Sequence, residues 1–142
     1  MSDIVLCRGR VTRIASEIFE DDRGVLVPID FSGYGFQVVR AFVVNAAAGL
    51  VRGRHAHAKG RQILMLARGR IVVDVYYEDC AERVTLDSRH RILLIEPRVW
   101  TSQTYLSDDA ALVVFCDTAY DRNDYICERG RVSWATLTDL PG

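Results

Sequence analysis

A chain of 142 residues, 49% apolar and 26% charged, is long enough to bury its own core and has the balance of a soluble globular domain. Its net charge of −1 supplies no basic field for nucleic acid or an anionic membrane surface, and no apolar run is long enough to span a bilayer. The opening MSDIVLCRGRVTR has no apolar stretch followed by a small-residue cleavage site, so the expectation is one domain over residues 1–142 in the cytoplasm.

In chain order, GVLVPID (24–30) and FQVVRAFVVN (36–45) are rich in β-branched and aromatic residues and bounded by turn formers, which predicts strands. A polar, histidine-bearing segment follows, and then the strands QILMLA (62–67) and RIVVDVYY (70–77), separated by a turn at Arg68-Gly69. ERVTL (82–86), HRILLIE (90–96) and AALVVFCD (110–117) continue the pattern, with turns around Glu78-Asp79 and Asp87-Ser88. In RIVVDVYY the alternation is imperfect: Val72, Asp74 and Tyr76 share one face, and Ile71, Val73, Val75 and Tyr77 the other. No segment carries an apolar stripe at helical spacing. Short strands at close intervals predict an all-β sandwich or small barrel, with the polar stretch from Tyr120 wrapping its outside or a second subunit. Cys7, Cys80, Cys116 and Cys127 have no C-x-x-C pair or repeated spacing, so they are read as small hydrophobes or surface thiols, not as a disulfide framework.

The chemistry concentrates in RGRHAHAKGRQ (52–62). His55 and His57, at i and i+2 on an extended segment, point to one face. Three roles are open to them: hydrogen-bonded barrel residues, a proton-transfer pair, or an anion-binding pair. Arg40, Arg52 and Arg54 nearby favour an anionic occupant, because a basic cluster at a barrel mouth is costly when nothing neutralises it. Trp100 and Trp134 are read as packing residues, Asp121 and Asp124 as turn or cap residues, and His90 as solvated.

The spacing Gly49, five residues, His55, Ala56, His57, four residues, Gln62, six residues, Gly69 resembles the first motif of the jelly-roll proteins called cupins, G-x5-H-x-H-x3,4-E-x6-G. Gln62 replaces the glutamate. In the region of the second motif, EPRVWTSQTYL (96–106), Thr101 and Ser102 stand where a histidine would complete a metal site. Two imidazoles and an amide make a poor ligand set for zinc or iron, so no metal or other cofactor is expected.

Five stretches in order resemble the nucleotide-sugar 3,4-ketoisomerases of the FdtA/WxcM type: DDRGVLVPID, FQVVRAFVV, RGRHAHAKGRQ, PRVW and YDRNDYI. The likeness runs from about Arg13 to Trp134. It implies a cupin-type jelly-roll barrel that forms a homodimer by exchanging N-terminal strands. It also implies a metal-free isomerase moving the ketone of a dTDP-linked 4-keto-6-deoxyhexose from C4 to C3 in deoxysugar biosynthesis. By position, His55 is then the base and His57 the second active-site histidine. Arg40, Arg52 and Gln62 fall at pocket positions, Arg52 near the diphosphate, and Arg23 lies where family branches differ. Two positions depart from the pattern: Phe42 stands where the resemblance implies a proton-shuttling tyrosine, and Thr101 where it implies histidine or arginine. Either another group (His57, Tyr105 or a water) takes over the shuttle, or the chain redirects the chemistry, as in an epimerisation, or it only binds a sugar nucleotide.

Overall fold

The computed structural model describes residues 2–128 and 138–139; Trp134 lies outside them. The first strands are β1 (Ile4–Leu6), β2 (Val11–Ile14), β3 (Phe19–Asp21), β4 (Gly24–Leu26) and β5 (Arg40–Asn45). The middle of the chain forms β6 (Val51–His57), β7 (Gln62–Arg68), β8 (Ile71–Tyr77), β9 (Cys80–Leu86) and β10 (Ile92–Ile95). Then come β11 (Trp100–Tyr105), β12 (Ala111–Cys116), β13 (Tyr125–Ile126) and β14 (Thr138–Asp139). Three short 3-10 turns are the only helical elements among the described residues.

Two six-stranded sheets face each other, one in the order β1-β2-β10-β7-β12-β5 and the other β13-β6-β11-β8-β9-β14, with β3–β4 a separate hairpin. The expected all-β jelly-roll barrel is what forms. Strand register fixes which side chains enter it, because paired residues share a face. In the first sheet Leu64, Leu66, Leu93, Leu112 and Val114 line the interior, all at most 3% exposed. The opposite face of that sheet is apolar too: Ile63, Ile92 and Leu94 lie under Phe31 and Phe36 of the irregular segment before β5. Burial on both faces explains why QILMLA and HRILLIE read as continuous apolar runs without alternation. Arg61 holds that covering segment down, donating to the carbonyls of Tyr34 and Gly35 and pairing with Glu96 at 3.0 Å.

The imperfect alternation of RIVVDVYY has the same origin. Ile71, Val73 and Val75 face the interior, while Asp74 and Tyr76 are buried on the other side, Asp74 paired with Arg83 at 2.8 Å. Among the expected strands, 24–30 and 36–45 shorten to β4 and β5, because Pro28 and the turn over Phe31–Tyr34 interrupt the ladder.

Two side-chain expectations are corrected. Cys7 and Cys80 form a disulfide across 73 positions of sequence, a pairing that no local spacing displays. Cys116 is buried and Cys127 exposed, both as free thiols. His90 is 8% exposed, not solvated, because its ring nitrogen and backbone N–H both turn onto Asp87.

Candidate functional site

Residues 51–57 form strand β6, not a loop, despite two arginines, a glycine and two histidines in seven positions. Its register against β11 slips between Thr101 and Ser102: Thr101 faces His55, Ser102 faces Gly53, and Gln103 faces Arg52. The extra residue is a β-bulge at Gly53-Arg54, with φ 86° and 62°. A Cβ on Gly53 would lie 3.2 Å from both the Gln103 amide and the Thr101 carbonyl, so the bulge is built for glycine. Simple alternation would place Arg52 opposite His55. The bulge reverses the phase, and Arg52 joins His55 and His57 on the face shared with Thr101, Gln103 and Tyr105.

The facing sheet supplies the rest. Cys116 pairs with Arg40 on β5 and Gln62 on β7, and Val114 pairs with Phe42. Arg40, Phe42 and Gln62 therefore face the same interior. Arg40 and Gln62 both donate to the buried Cys116 sulfur, at 3.6 and 3.5 Å. The Arg40 guanidinium also lies 5.2 Å above the Phe42 ring and 5.3 Å above that of Tyr120. Burial lowers the Arg40 pKa, but interactions with Cys116 and Tyr125 outweigh it and raise the value. The barrel end thus holds cations and amides above a floor of aliphatic side chains.

The two imidazoles touch. His55 Nε2 lies 3.2 Å from His57 Nε2, and His55 Nδ1 lies 3.1 Å from the Gly53 carbonyl. His57 Nδ1 lies 3.2 Å from Asp124 Oδ2, with both side chains 10% exposed. Burial pushes His57 below the usual histidine pKa; His55 and Arg40 add to the shift, and Asp124 opposes it. Tyr125 covers the pair, its ring 4.6 Å from His55 and 4.7 Å from His57.

Asp124 and Tyr125 arrive by a route that sequence reading missed. The stretch after Tyr120 does not simply wrap the outside. Asp121 caps a 3-10 turn as expected, accepting from Asn123 N–H, and β13 then pairs with His57 and Ala56 on β6. Asp124 does more than cap: its Oδ1 accepts from Lys59 N–H at 2.8 Å while Oδ2 holds His57. Gly60 leaves room for this approach, since a Cβ there would be 3.3 Å from Asp124 Oδ2. The signal was present in YDRNDYI, where Asp124 and Tyr125 stand.

Of the six residues singled out by sequence, five converge: His55, His57, Arg40, Arg52 and Gln62. Arg23 does not join them within this chain. It sits on the β3–β4 hairpin, 86% exposed and paired with Asp21. Tyr105 is fully buried with an unpaired hydroxyl, and its burial raises the phenol pKa against the pull of Arg52. Trp100 packs edge-on to Tyr76 at 5.5 Å. Among the described residues, no three of His, Cys, Asp and Glu are arranged to hold a metal ion.

A jelly roll whose interior carries paired histidines, arginines and an amide defines a cupin-type barrel. The chain belongs to the FdtA family, described as WxcM-like, C-terminal, whose model matches residues 10–134. A TDP-4-oxo-6-deoxy-α-D-glucose 3,4-oxoisomerase of Aneurinibacillus thermoaerophilus is 32% identical over 108 residues, 75% of this chain and 78% of the relative. The sugar 3,4-ketoisomerase QdtA of Thermoanaerobacterium thermosaccharolyticum, solved with TDP, superposes with a TM-score of 0.77 at 25% identity, covering 86% of this chain and 90% of that one. An rmlC epimerase of Mycobacterium tuberculosis shares the fold, with a TM-score of 0.78 at 17% identity over 88% of this chain and 72% of that one.

Proposed function

We propose that the chain is a metal-independent sugar-nucleotide 3,4-ketoisomerase acting on a dTDP-linked 4-keto-6-deoxyhexose, with His55 as the base that removes the C3 proton. The observation that carries this reading is the hydrogen-bonded His55–His57 pair on one interior face with Arg52, opposite Arg40 and Gln62. The relatives act on, or bind, the corresponding TDP compounds.

The reaction moves two protons and no net electrons. The C3–H bond breaks onto an imidazole nitrogen, its electron pair forms the C3=C4 double bond, and the C4 carbonyl oxygen becomes the enediolate oxygen. That oxygen takes the proton of the C3 hydroxyl, and the C3 oxygen then re-forms the carbonyl while the double-bond electrons at C4 accept the proton from the acid form of the pair. An imidazole changes charge near neutral pH, which suits both directions of transfer. Arg40 offers positive charge to the enediolate, and the guanidinium of Arg52 suits the diphosphate in bidentate contact. Binding energy from that remote handle aligns the sugar.

The hairpin carrying Arg23 exposes Phe19, Val25 and Leu26 by half or more, and a homodimer exchanging N-terminal strands would cover them and bring Arg23 to a partner's barrel. A second reading rests on Phe42 and Thr101, which leave two apolar or neutral groups on the sugar-facing surface: a sugar-nucleotide binder whose chemistry is lost or redirected to epimerisation. His55→Asn separates the two. The isomerase reading predicts turnover falling at least about 100-fold with TDP affinity within about twofold; equal turnover in variant and wild type overturns His55 as base.

A further inference from the structure

Three contacts run in series through the histidine pair: Gly53 O to His55 Nδ1, His55 Nε2 to His57 Nε2, and His57 Nδ1 to Asp124 Oδ2, all between 3.1 and 3.2 Å. The two ends of this chain, a carbonyl and a carboxylate, only accept. Each contact therefore needs one N–H proton from an imidazole. Two neutral imidazoles carry two such protons, and the three contacts require three.

We propose that Asp124 is a positioning residue that fixes His57 with its proton on Nδ1, so that the His55–His57 pair takes up one proton as a unit and serves as both base and acid for the isomerisation. In the proton-poor state one lone pair of His55 faces another acceptor, either the Gly53 carbonyl or the bare Nε2 of His57. Uptake of the abstracted C3 proton removes that repulsion and completes all three bonds. The proton stays in the barrel, held between rings, until C4 takes it. This is the task that Phe42, lacking a hydroxyl, cannot perform.

The charged and titratable neighbours are consistent with a shared proton. Among the described residues Asp124, from the 3-10 turn, is the one carboxylate bonded to the pair, and Arg40 on β5 and the Tyr125 phenol on β13 are the other titratable groups facing it. Asp124 is itself held, by Lys59 N–H on Oδ1 and by its carbonyl accepting from Ala58 N–H at 2.7 Å, so Oδ2 is free to serve His57 alone. The inference rests on the isomerase reading for its chemistry and on the three contacts for its tautomers.

The test is long-range proton–nitrogen correlation NMR of the full chain labelled with 15N-histidine, recorded across pH 5–9 for wild type and Asp124→Asn. In wild type, His57 should keep its Nδ1 proton throughout, with the pair gaining one further proton at the acid end. In Asp124→Asn the amide can still accept from Lys59 N–H while its NH2 faces His57. His57 should then switch to the Nε2–H tautomer and fill the series without an extra proton. The kcat of that variant should fall about 100-fold with KM within about twofold, and the acid limb of its kcat profile should move to lower pH. An Nε2–H tautomer of His57 in wild type overturns the proposal without recourse to the variant, as does an unchanged tautomer and kcat in Asp124→Asn. Expected tautomers in a wild-type protein that isomerises no sugar leave the positioning assignment standing and overturn the isomerase reading instead.

Discussion

Arg52 and His55 look into the same barrel interior although three positions separate them on one strand, an odd spacing that ordinarily puts two side chains on opposite faces. The bulge at Gly53 is what brings them together. The guanidinium assigned to the diphosphate and the base of the proposed reaction therefore share a face through one residue with a positive φ of 86°.

Gly53→Ala tests that dependence. A non-glycine residue in the left-handed region costs about 1–2 kcal/mol, and the added methyl also meets the Gln103 amide at 3.2 Å. Urea unfolding should show a loss of at least this size. If the bulge relaxes and turns Arg52 away, calorimetric TDP affinity should fall about tenfold or more, the scale of a charged hydrogen bond. Wild-type affinity in a destabilised variant would show that Arg52 does not hold the nucleotide.

Phe42→Tyr should restore a hydroxyl to the interior face. The ring is 37% exposed at the barrel end, so the added oxygen reaches solvent and stability should change by no more than about 0.5 kcal/mol. The ratio of net isomerisation to simple hydrogen exchange should rise, measured on the sugar by proton NMR. An unchanged ratio would mean that proton return already runs through the histidines alone.

The lowered pKa of His57 sets a pH dependence of stability. In the unfolded chain the imidazole binds a proton below its ordinary value of about 6.5, whereas in the folded chain it resists until lower pH. Between the two, the unfolded state holds more protons, so stability rises with pH through this window. The contribution is complete above about pH 6.5 and is lost as pH falls toward the folded value. Urea midpoints from pH 5 to 8 should fall on the acid side, and His57→Asn should flatten that slope. An equal slope in the variant would assign the dependence to other groups.

The Cys7–Cys80 bond closes a loop of 73 residues and ties the first turn of the chain to the start of β9. Loop-closure entropy for a loop of that length places its worth at about 4 kcal/mol. The double variant Cys7→Ser, Cys80→Ser should lose that much in denaturant titration and keep its kcat, since neither residue borders the histidines. A loss of kcat without a loss of stability would contradict the structural role.

Much of this molecule was legible before its coordinates. β-Branched runs such as RIVVDVYY and AALVVFCD announce strands through side-chain shape, and the i, i+2 spacing of His55 and His57 fixes their common face on any extended segment. What escaped was non-local. Nothing in RGRHAHA marks it as a central strand, because its arginines, glycine and histidines have weak strand preference and its pairing with β11 and β13 is made far along the sequence. Asp124 reads locally as a turn residue, and only the return of β13 to β6 makes it the partner of His57. The disulfide likewise depends on which elements meet, 73 positions apart, which composition does not encode.

This barrel is proposed to move a proton between adjacent sugar carbons. Proton NMR of the wild-type chain with TDP-4-keto-6-deoxyglucose in deuterated water tests it most directly. Deuterium should enter the sugar ring while a 3-keto product accumulates, and neither event should occur in His55→Asn. Bound TDP-sugar that takes up no deuterium and yields no 3-keto product would contradict it.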